Sequence, residues 1–537
     1  MLKTINNLIR LLSVTRTLAR YDALFLLDGF ERPPVYVKLV RVVLPVFAVG
    51  AASSKHLRKG QRLARALQEL GPSFIKLGQA LSVRSDLLGE EIAQDLGNLR
   101  DRLPPFSFEE AKASIEAELE HSIDELYVHF DPEPVAAASI AQVHYAEVEE
   151  SIPAPTAENP AAVEIIRRKV AVKVLRPGIE KAFERDLDLF KWGADLIERF
   201  QPKLRRLRFG KVVEILEESV SLEMDLRLEA AAAAEIGENF ADDPEFSVPT
   251  IDWQRTAMRV MTQSWVEGVS LSDRQGLIDA GHDLQKVSAN VIRVFLSQVL
   301  RDGFFHADMH HGNLFVAPDG ALVAVDFGIM GRMDRQTRLF MAEMLYAFLV
   351  GDYRRAAEVH FEAGYVPPRK SLDAFTQACR SIGEPIMGKP VSEISIAKLL
   401  VQLFQITATF EMETQPQLLL LQKTMVTAEG VAHSLYRDVN FWEVAYPTVE
   451  GWMRENMGPE AKAAQIVNDG LQFAKKLPDL VTKTDRLLTR LEGEGAQMFG
   501  RGGESRKNAG QNQLGQSVFF ACGLAVGAAL TYLLVTL

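Results

Sequence analysis

The sequence predicts an α+β chain in which a small strand-rich unit precedes a larger helical one, with further helices ahead of both. Three observations carry this. Residues 135–174 follow a β-like pattern that ends in Val170-Ala171-Val172-Lys173-Val174. Residues 180–240, and most of the chain beyond Leu271, carry apolar residues at helical spacing. Short strand-like runs at 313–315 and 322–325 interrupt the second helical region and follow or flank two polar motifs.

A chain of 537 residues suggests several structural units, at about 100–200 residues per domain. Hydrophobic residues make up 47%, enough for a large core, and the formal charge of −11 argues against a nucleic-acid partner. The two cysteines, Cys379 and Cys522, lie far apart in apolar surroundings, so no disulfide framework is implied and a reducing compartment is expected.

Residues 1–105 read as a helical extension. Leu2, Ile5, Leu8, Ile9, Leu12 and Val14 alternate with Lys3, Arg10, Arg16 and Arg20, the pattern of a basic amphipathic helix without a cleavage site. Such a helix either packs on its own domain or lies on an anionic membrane surface. The apolar run 39–49 contains Arg41 and Pro45 and is too short to span a bilayer. Leu63, Leu67 and Leu70 continue the helical spacing, Gly71-Pro72 punctuates it, and Pro104-Pro105 closes the segment. Residues 106–268 form the strand-rich unit, with a helix at 110–130, a hairpin loop within 152–162 and a further strand at 256–263. Residues 269–494 form the helical unit. A Gly-, Gln- and Asn-rich linker follows at 495–517, then an uncharged apolar run at 518–537 with the length of a transmembrane anchor. Arg501, Arg506 and Lys507 precede that run, which puts the main body on the cytoplasmic side. Gly523 and Gly527 are spaced for helix self-association, so a homodimer is conceivable.

The chemistry is concentrated in a few motifs. His306-Ala307-Asp308-Met309-His310-His311-Gly312-Asn313 places a carboxylate and an amide as in the catalytic loop of phosphoryl-transfer enzymes. Asp308 would orient or deprotonate an attacking hydroxyl, and Asn313 would bind a metal ion. Asp326-Phe327-Gly328 ends a strand, and its aspartate would hold magnesium bridging nucleotide phosphates. A metal cluster of His306, His310 and His311 is the competing reading, but it leaves Asn313 and Asp326 unexplained. Lys173 matches the strand lysine that contacts the α- and β-phosphates of ATP or ADP. It needs a helical carboxylate, for which Glu229 is the first choice and Glu223 the second. Where a kinase carries a glycine loop, this chain has Ala136-Ala137-Ala138-Ser139-Ile140-Ala141-Gln142-Val143. Alanine fills all three glycine positions, which should reshape the cover over the phosphates. After Gly328 there is no Ala-Pro-Glu motif and no long activation segment, so a peptide-docking platform is not expected.

Taken with Phe74-Ile75-Lys76-Leu77-Gly78-Gln79 and Glu223-Met224-Asp225, these segments resemble the UbiB family of atypical protein-kinase-like proteins, which act in ubiquinone biosynthesis. The resemblance runs from about residue 70 to 330. It implies a two-lobed kinase-like fold whose N-terminal extension covers the active site. Lys76 and Gln79 would then occupy the space of a peptide substrate, with Lys76 paired to the Glu223-x-Asp225 motif through Glu223, and Lys173 paired to Glu229. It also implies ATP and magnesium as cofactors, slow ATP hydrolysis, and a bacterial inner-membrane location. Membrane lipids, quinone precursors and other ubiquinone-biosynthesis proteins would be the partners. Gln263-Ser264 departs from the Met-Glu common in relatives and leaves the adenine contact unassigned. Two alternatives remain: a small-molecule or lipid kinase of the aminoglycoside-phosphotransferase type, and a nucleotide-binding pseudokinase scaffold.

Overall fold

The structure, a computed structural model, describes residues 2–25, 57–82, 89–97, 99, 103–153, 163–200, 209–384, 406, 409–412 and 416–458. The apolar run at 39–49, the linker at 495–517, the run at 518–537 and Cys522 lie outside the described residues. Among the described residues no helix is long and apolar enough to cross a membrane. The chain divides into a compact unit Met1–Arg454, which holds every site residue below, and a second, Glu455–Leu537.

The extension comprises α1 (Leu2–Arg20), α2 (Lys59–Leu70), α3 (Pro72–Ser82) and α4 (Glu90–Gly97). Leu63, Leu67, Leu70, Phe74 and Leu96 form its core, joined by Val14 of α1. Arg10 of α1 donates to the buried Asp186 carboxylate at 2.8 Å. One face of α1 therefore packs on its own chain, while Ile9 and Leu12, at 63% and 60% exposure, stay on the outer face. Gly71 adopts φ +105°, which an L side chain would resist, and Pro72 follows at the first helical position, making a sharp corner between α2 and α3. A Cβ on Gly78 would collide with Leu67 and Leu99, so the glycine of the Lys-x-Gly-Gln segment is there for close packing.

Next come α5 (Phe108–Leu119), capped by Ser107 and Glu110, and the single turn α6 (Ile123–Leu126). Strands β1 (His129–Ala137), β2 (Ala141–Pro153) and β3 (Val163–Leu175) follow, then α7 (Ile179–Phe200), α8 (Phe209–Glu223) and α9 (Leu226–Asn239). The small strands β4 (Phe246–Ser247) and β5 (Ile251–Asp252) lead to β6 (Val260–Ser264). A five-stranded antiparallel sheet has the order β1-β2-β3-β6-β5. Alternation along β3 decides its two faces. Val170, Val172 and Val174 pack with Ile115 of α5 and with Val260 and Tyr127. Ala171 and Lys173 point the other way.

The helical unit begins with β7 (Val269–Ser270), α10 (Arg274–Asp279), α11 (Leu284–Leu296) and β8 (Phe304–His306). It continues with β9 (Leu314–Val316), β10 (Leu322–Ala324), β11 (Met330–Arg332) and α12 (Arg335–Leu349). Helices α13 (Tyr353–Glu362), α14 (Leu372–Gly383), α15 (Pro416–Leu435) and α16 (Phe441–Met457) complete it. A second sheet has the order β4-β10-β9-β7, and β8 pairs with β11. The largest apolar cluster joins Leu226, Ala230 and Ala233 of α9 to Val291 and Phe295 of α11, Phe305 and Leu314 of the strands, and Leu421 and Ala428 of α15.

Only Ile329 separates Gly328 from β11, and Asp334 caps α12 directly afterwards. The expected passage straight into helix is thus interrupted by one short strand, with no room for an activation segment. Strands β4, β5, β7, β8 and β11 were not expected from the sequence. At two or three residues each they show no period, and pairing with distant partners fixes them.

Candidate active site

Lys173 sits on the cleft face of β3. Its ammonium donates to Glu229 Oε1 of α9 at 2.6 Å and to Asp326 Oδ1 at 2.9 Å. Burial disfavours the Lys173 charge, but Asp326 and Glu229 more than offset that and hold the ammonium above its ordinary pKa. Asp326 is held well below the carboxylate range, first by Lys173 and further by the charge on Lys76. Glu229 is pushed up by its burial and by the charge on Asp326, against the pull of Lys173. Asp326 adopts φ +62°, an uncommon left-handed conformation for a non-glycine residue, and its side chain is 48% exposed at the mouth of the cleft. Phe327 next to it is buried with its ring 5.3 Å from that of His306.

The loop opposite is locked by its own hydrogen bonds. The Asp308 amide donates to His306 Nδ1 at 3.1 Å, so the other ring nitrogen carries the proton and donates to Val325 O at 3.2 Å. Burial lowers the pKa of His306, which keeps this neutral tautomer. Asn313 Nδ2 donates to Asp308 O at 3.1 Å, and the Val325 amide donates to Asn313 O at 2.9 Å. Asn313 Oδ1 makes no hydrogen bond to a described residue. His310 Nδ1 accepts from the Gly312 amide, and His311 Nε2 meets Ser434 Oγ at 2.6 Å. The imidazoles thus have protein partners, within the loop for His310 and beyond it for His306 and His311, and among the described residues no three His, Cys, Asp or Glu side chains are grouped to hold a metal. The histidine-cluster reading has no support here.

The alanine loop is the β1–β2 turn. Ala136 faces Val143 and Ala137 faces Gln142 across the hairpin, and the Ala138 amide donates to Ala141 O at 2.8 Å. None of its residues has positive φ, so the turn needs no glycine. The Arg176 amide donates to Ile140 O at 2.7 Å, and its guanidinium reaches Ala138 O and Pro104 O. Ile140 packs on the cluster of Phe183, Leu187 and Val220, against which Leu77 and Ala80 of α3 also pack. Ser139 is fully buried and its Oγ has no hydrogen-bond partner among the described residues.

The extension closes the opposite side. Lys76 of α3 lies 2.6 Å from Glu223 Oε2 at the end of α8, with side-chain exposures of 9% and 7%. Its charge also reaches Asp326, as the pKa of that carboxylate records. Gln79 sits one turn further on α3, and its side chain makes no hydrogen bond to a described residue. Asp225 does not share in the Lys76 pairing. It caps α9, accepting from the Arg227 amide at 3.2 Å and from the Arg227 guanidinium at 2.8 Å. An aspartate just before a helix satisfies an otherwise orphaned amide, and that local demand wins.

Helix α15 also reaches the loop, which the sequence reading missed. Thr424 Oγ1 donates to Ala307 O at 3.2 Å, and Lys423 Nζ stands 3.9 Å from Asp308 Oδ1. The one available signal was a polar Gln422-Lys423-Thr424 triplet inside an apolar helix.

Comparison with known proteins matches residues 98–360 to the ABC1 atypical kinase-like domain and residues 379–440 to the UbiB helical domain, which contains all of α15. Curated relatives described as "Probable protein kinase UbiB" include one from Marinobacter nauticus, 39% identical over 432 residues, or 79% of this chain and 76% of that protein. Those from Azotobacter vinelandii and Pseudomonas entomophila are 40% and 38% identical and cover 88% and 90% of this chain and 85% and 87% of their own lengths. Among solved structures, a complex of Rv3197 with erythromycin from Mycobacterium tuberculosis matches at TM-score 0.47 and 22% identity, over 68% of this chain and 90% of that one. That likeness is too loose to inform the site.

Proposed function

The chain belongs to the UbiB family of atypical kinase-like proteins, and from that premise we propose that it binds ATP with magnesium and hydrolyses it slowly in support of ubiquinone biosynthesis. The observation that carries the reading is the convergence of Lys173, Glu229 and Asp326 within 2.9 Å on one side of a cleft that the Asp308–Asn313 loop faces. Lys173 is charged and directed, as a phosphate-contacting lysine must be. Asp326 stays ionised, half exposed, at a strand end, and Asn313 Oδ1 is uncommitted. Two oxygen donors of this kind, completed by phosphate oxygens and water, suit magnesium, which would neutralise charge on the phosphates.

The Asp308 backbone is held by the His306 ring and by the Asn313 amide, and its carboxylate, 30% exposed, is free to take the proton of an attacking hydroxyl or water. Lys423 brings a positive charge beside it. The alanine loop is tied by Arg176 and braced by α3, so it covers the phosphates in a fixed shape. With Lys76 across the mouth and no activation segment, water is a better acceptor than a peptide side chain. The exposed Ile9 and Leu12 of α1, beside the exposed Arg16, and the run at 518–537 suit a protein working at the inner-membrane surface from the cytoplasmic side, on quinone precursors or alongside other biosynthetic proteins. The test is purified full-length protein with γ-labelled ATP, magnesium and lipid vesicles. Release of free phosphate with little labelled protein supports the reading. Accumulation of a labelled lipid or isoprenoid alcohol replaces it with a lipid kinase, and absence of any turnover replaces it with a scaffold.

A further inference from the structure

Strand β8 is paired on one edge, by β11, with His306 opposite Met330. The Ala307 amide, the next along the chain, donates across that edge to Ile329 O at 3.0 Å. Successive amides of a strand point to opposite edges, so the His306 amide faces away from β11. His306 is completely buried, and a buried backbone amide needs a partner. Gln298 supplies it: its Oε1 accepts from the His306 amide at 2.8 Å.

Gln298 stands in an unusual piece of backbone. Helix α11 runs on into a π-helical turn, Ser297–Asp302, closed by Gly303 at φ +66°. Such turns carry i→i+5 hydrogen bonds, are rare, and occur frequently at functional sites. Phe295, Leu296, Val299 and Leu300 around it in sequence are all buried, and Gln298 has no exposure at all. Its Nε2 is buried without a hydrogen-bond partner among the described residues. Turning the side chain over would set that donor against the His306 amide, so the hydrogen bond fixes which end faces the loop. An apolar side chain would fill the same space with no orphaned donor. Glutamine adds one acceptor aimed at one amide.

That amide lies at the entry to the catalytic loop. The His306 ring accepts from the Asp308 amide and donates to Val325 O. The Val325 amide donates to Asn313 O, and Asn313 Nδ2 donates to Asp308 O. These bonds close a ring through His306, Asp308, Asn313 and the residue before Asp326, and Gln298 ties the ring to a core helix. We propose that Gln298 is a positioning residue for Asp308, setting through His306 where the loop holds that residue against the reacting groups. Its role rests on the phosphoryl-transfer reading given above. Lys173, Glu229 and the alanine loop stand on other elements, so turnover depends on Gln298 and nucleotide affinity does not.

The experiment measures phosphate release and ATP affinity, with magnesium, on the full-length chain, on Gln298→Met and on Gln298→Glu. Methionine keeps the length and removes the acceptor, whereas glutamate keeps an oxygen at the same reach. In Gln298→Met, kcat should fall about ten- to hundredfold while ATP affinity stays within about twofold. In Gln298→Glu, kcat should return to within about threefold of wild type. A glutamine that merely filled the core would, when replaced, lower the melting temperature and leave kcat of the folded protein alone. An unchanged kcat in Gln298→Met therefore overturns the proposal, as do kcat and affinity lost together or a Glu variant no better than Met. If Gln298→Met does not fold, Gln298→Asn, which withdraws the oxygen by one carbon, takes its place; failure of both to fold makes Gln298 a stability residue and overturns the proposal too. A wild type without ATP binding or turnover fails the phosphoryl-transfer reading itself, and that is read from the wild type alone.

Discussion

Replacing Lys76 with alanine tests whether the extension locks the active site. The ion pair with Glu223 is short, at 2.6 Å, and both side chains are at least nine-tenths buried. Breaking a pair of this kind costs about 3–5 kcal/mol, mostly because a desolvated charge loses its partner. Lys76 and Glu223 each make further interactions, which places the expected loss near the low end, about 3 kcal/mol. Such a loss corresponds to roughly hundredfold faster hydrogen exchange of the amides of α3. Lys76→Met with Glu223→Met replaces the pair by apolar side chains and should return α3 to near wild-type protection. Nucleotide binding should persist in Lys76→Ala, since Lys173, Asp326 and Asn313 are untouched, while reactivity shifts toward self-labelling on nearby Ser or Thr. Exchange, hydrolysis and self-labelling all unchanged in Lys76→Ala would refute the lock and leave the lysine as an incidental packing group.

His306→Gln should flatten the acid side of the stability curve. His306 titrates below its ordinary value of 6.5 because it is buried, so the unfolded chain takes up its proton first as pH falls. Stability is full above 6.5 and declines below it until the folded-state value is passed, at up to about 1.4 kcal/mol per pH unit per histidine. His144, His311 and His360 shift the same way, so the variant should take up one proton fewer on acid unfolding, and an undiminished uptake would contradict the assignment. Lys423→Ala removes the ammonium 3.9 Å from Asp308; turnover should fall about tenfold with ATP affinity retained, and steady-state kinetics with wild-type kcat would dismiss a role for it. Deleting residues 518–537 should release most of the protein from membranes with nucleotide binding intact; membrane fractionation unchanged by the deletion would assign the attachment to α1 instead.

The site motifs were legible because each is short and local. Asp308 and Asn313 belong to one loop and Asp326 to one turn, so spacing alone singles them out as candidates. Long strands β2 and β3 and helices such as α7 and α12 were legible because they carry a period. What depended on tertiary packing was not. Two glutamates on neighbouring helices competed for Lys173; spacing left the choice open, the family resemblance favoured Glu229, and the approach of α9 to β3 brings Glu229 to the lysine. Asp225 looked equivalent to Glu223 two residues before it, yet the start of α9 claims it as a cap. Lys423 was hidden by distance in sequence, because nothing near it announces that α15 will cross the catalytic loop. The alanine loop was expected to take another shape than a glycine loop, and the fold agrees. The turn avoids positive φ altogether, so alanine fits it without strain.

The central claim, a phosphoryl-transfer site with divided roles, is tested most directly by magnesium-dependent ATP binding in Asp326→Asn beside Asp308→Asn. Thermal-shift titrations with and without magnesium read the binding, and phosphate release reads the turnover. The expected result is that Asp326→Asn loses the magnesium-dependent shift, since the ionised ligand at the strand end is gone, whereas Asp308→Asn keeps the shift and loses turnover. Equal loss of binding in both variants, or a full magnesium-dependent shift in Asp326→Asn, would contradict the account.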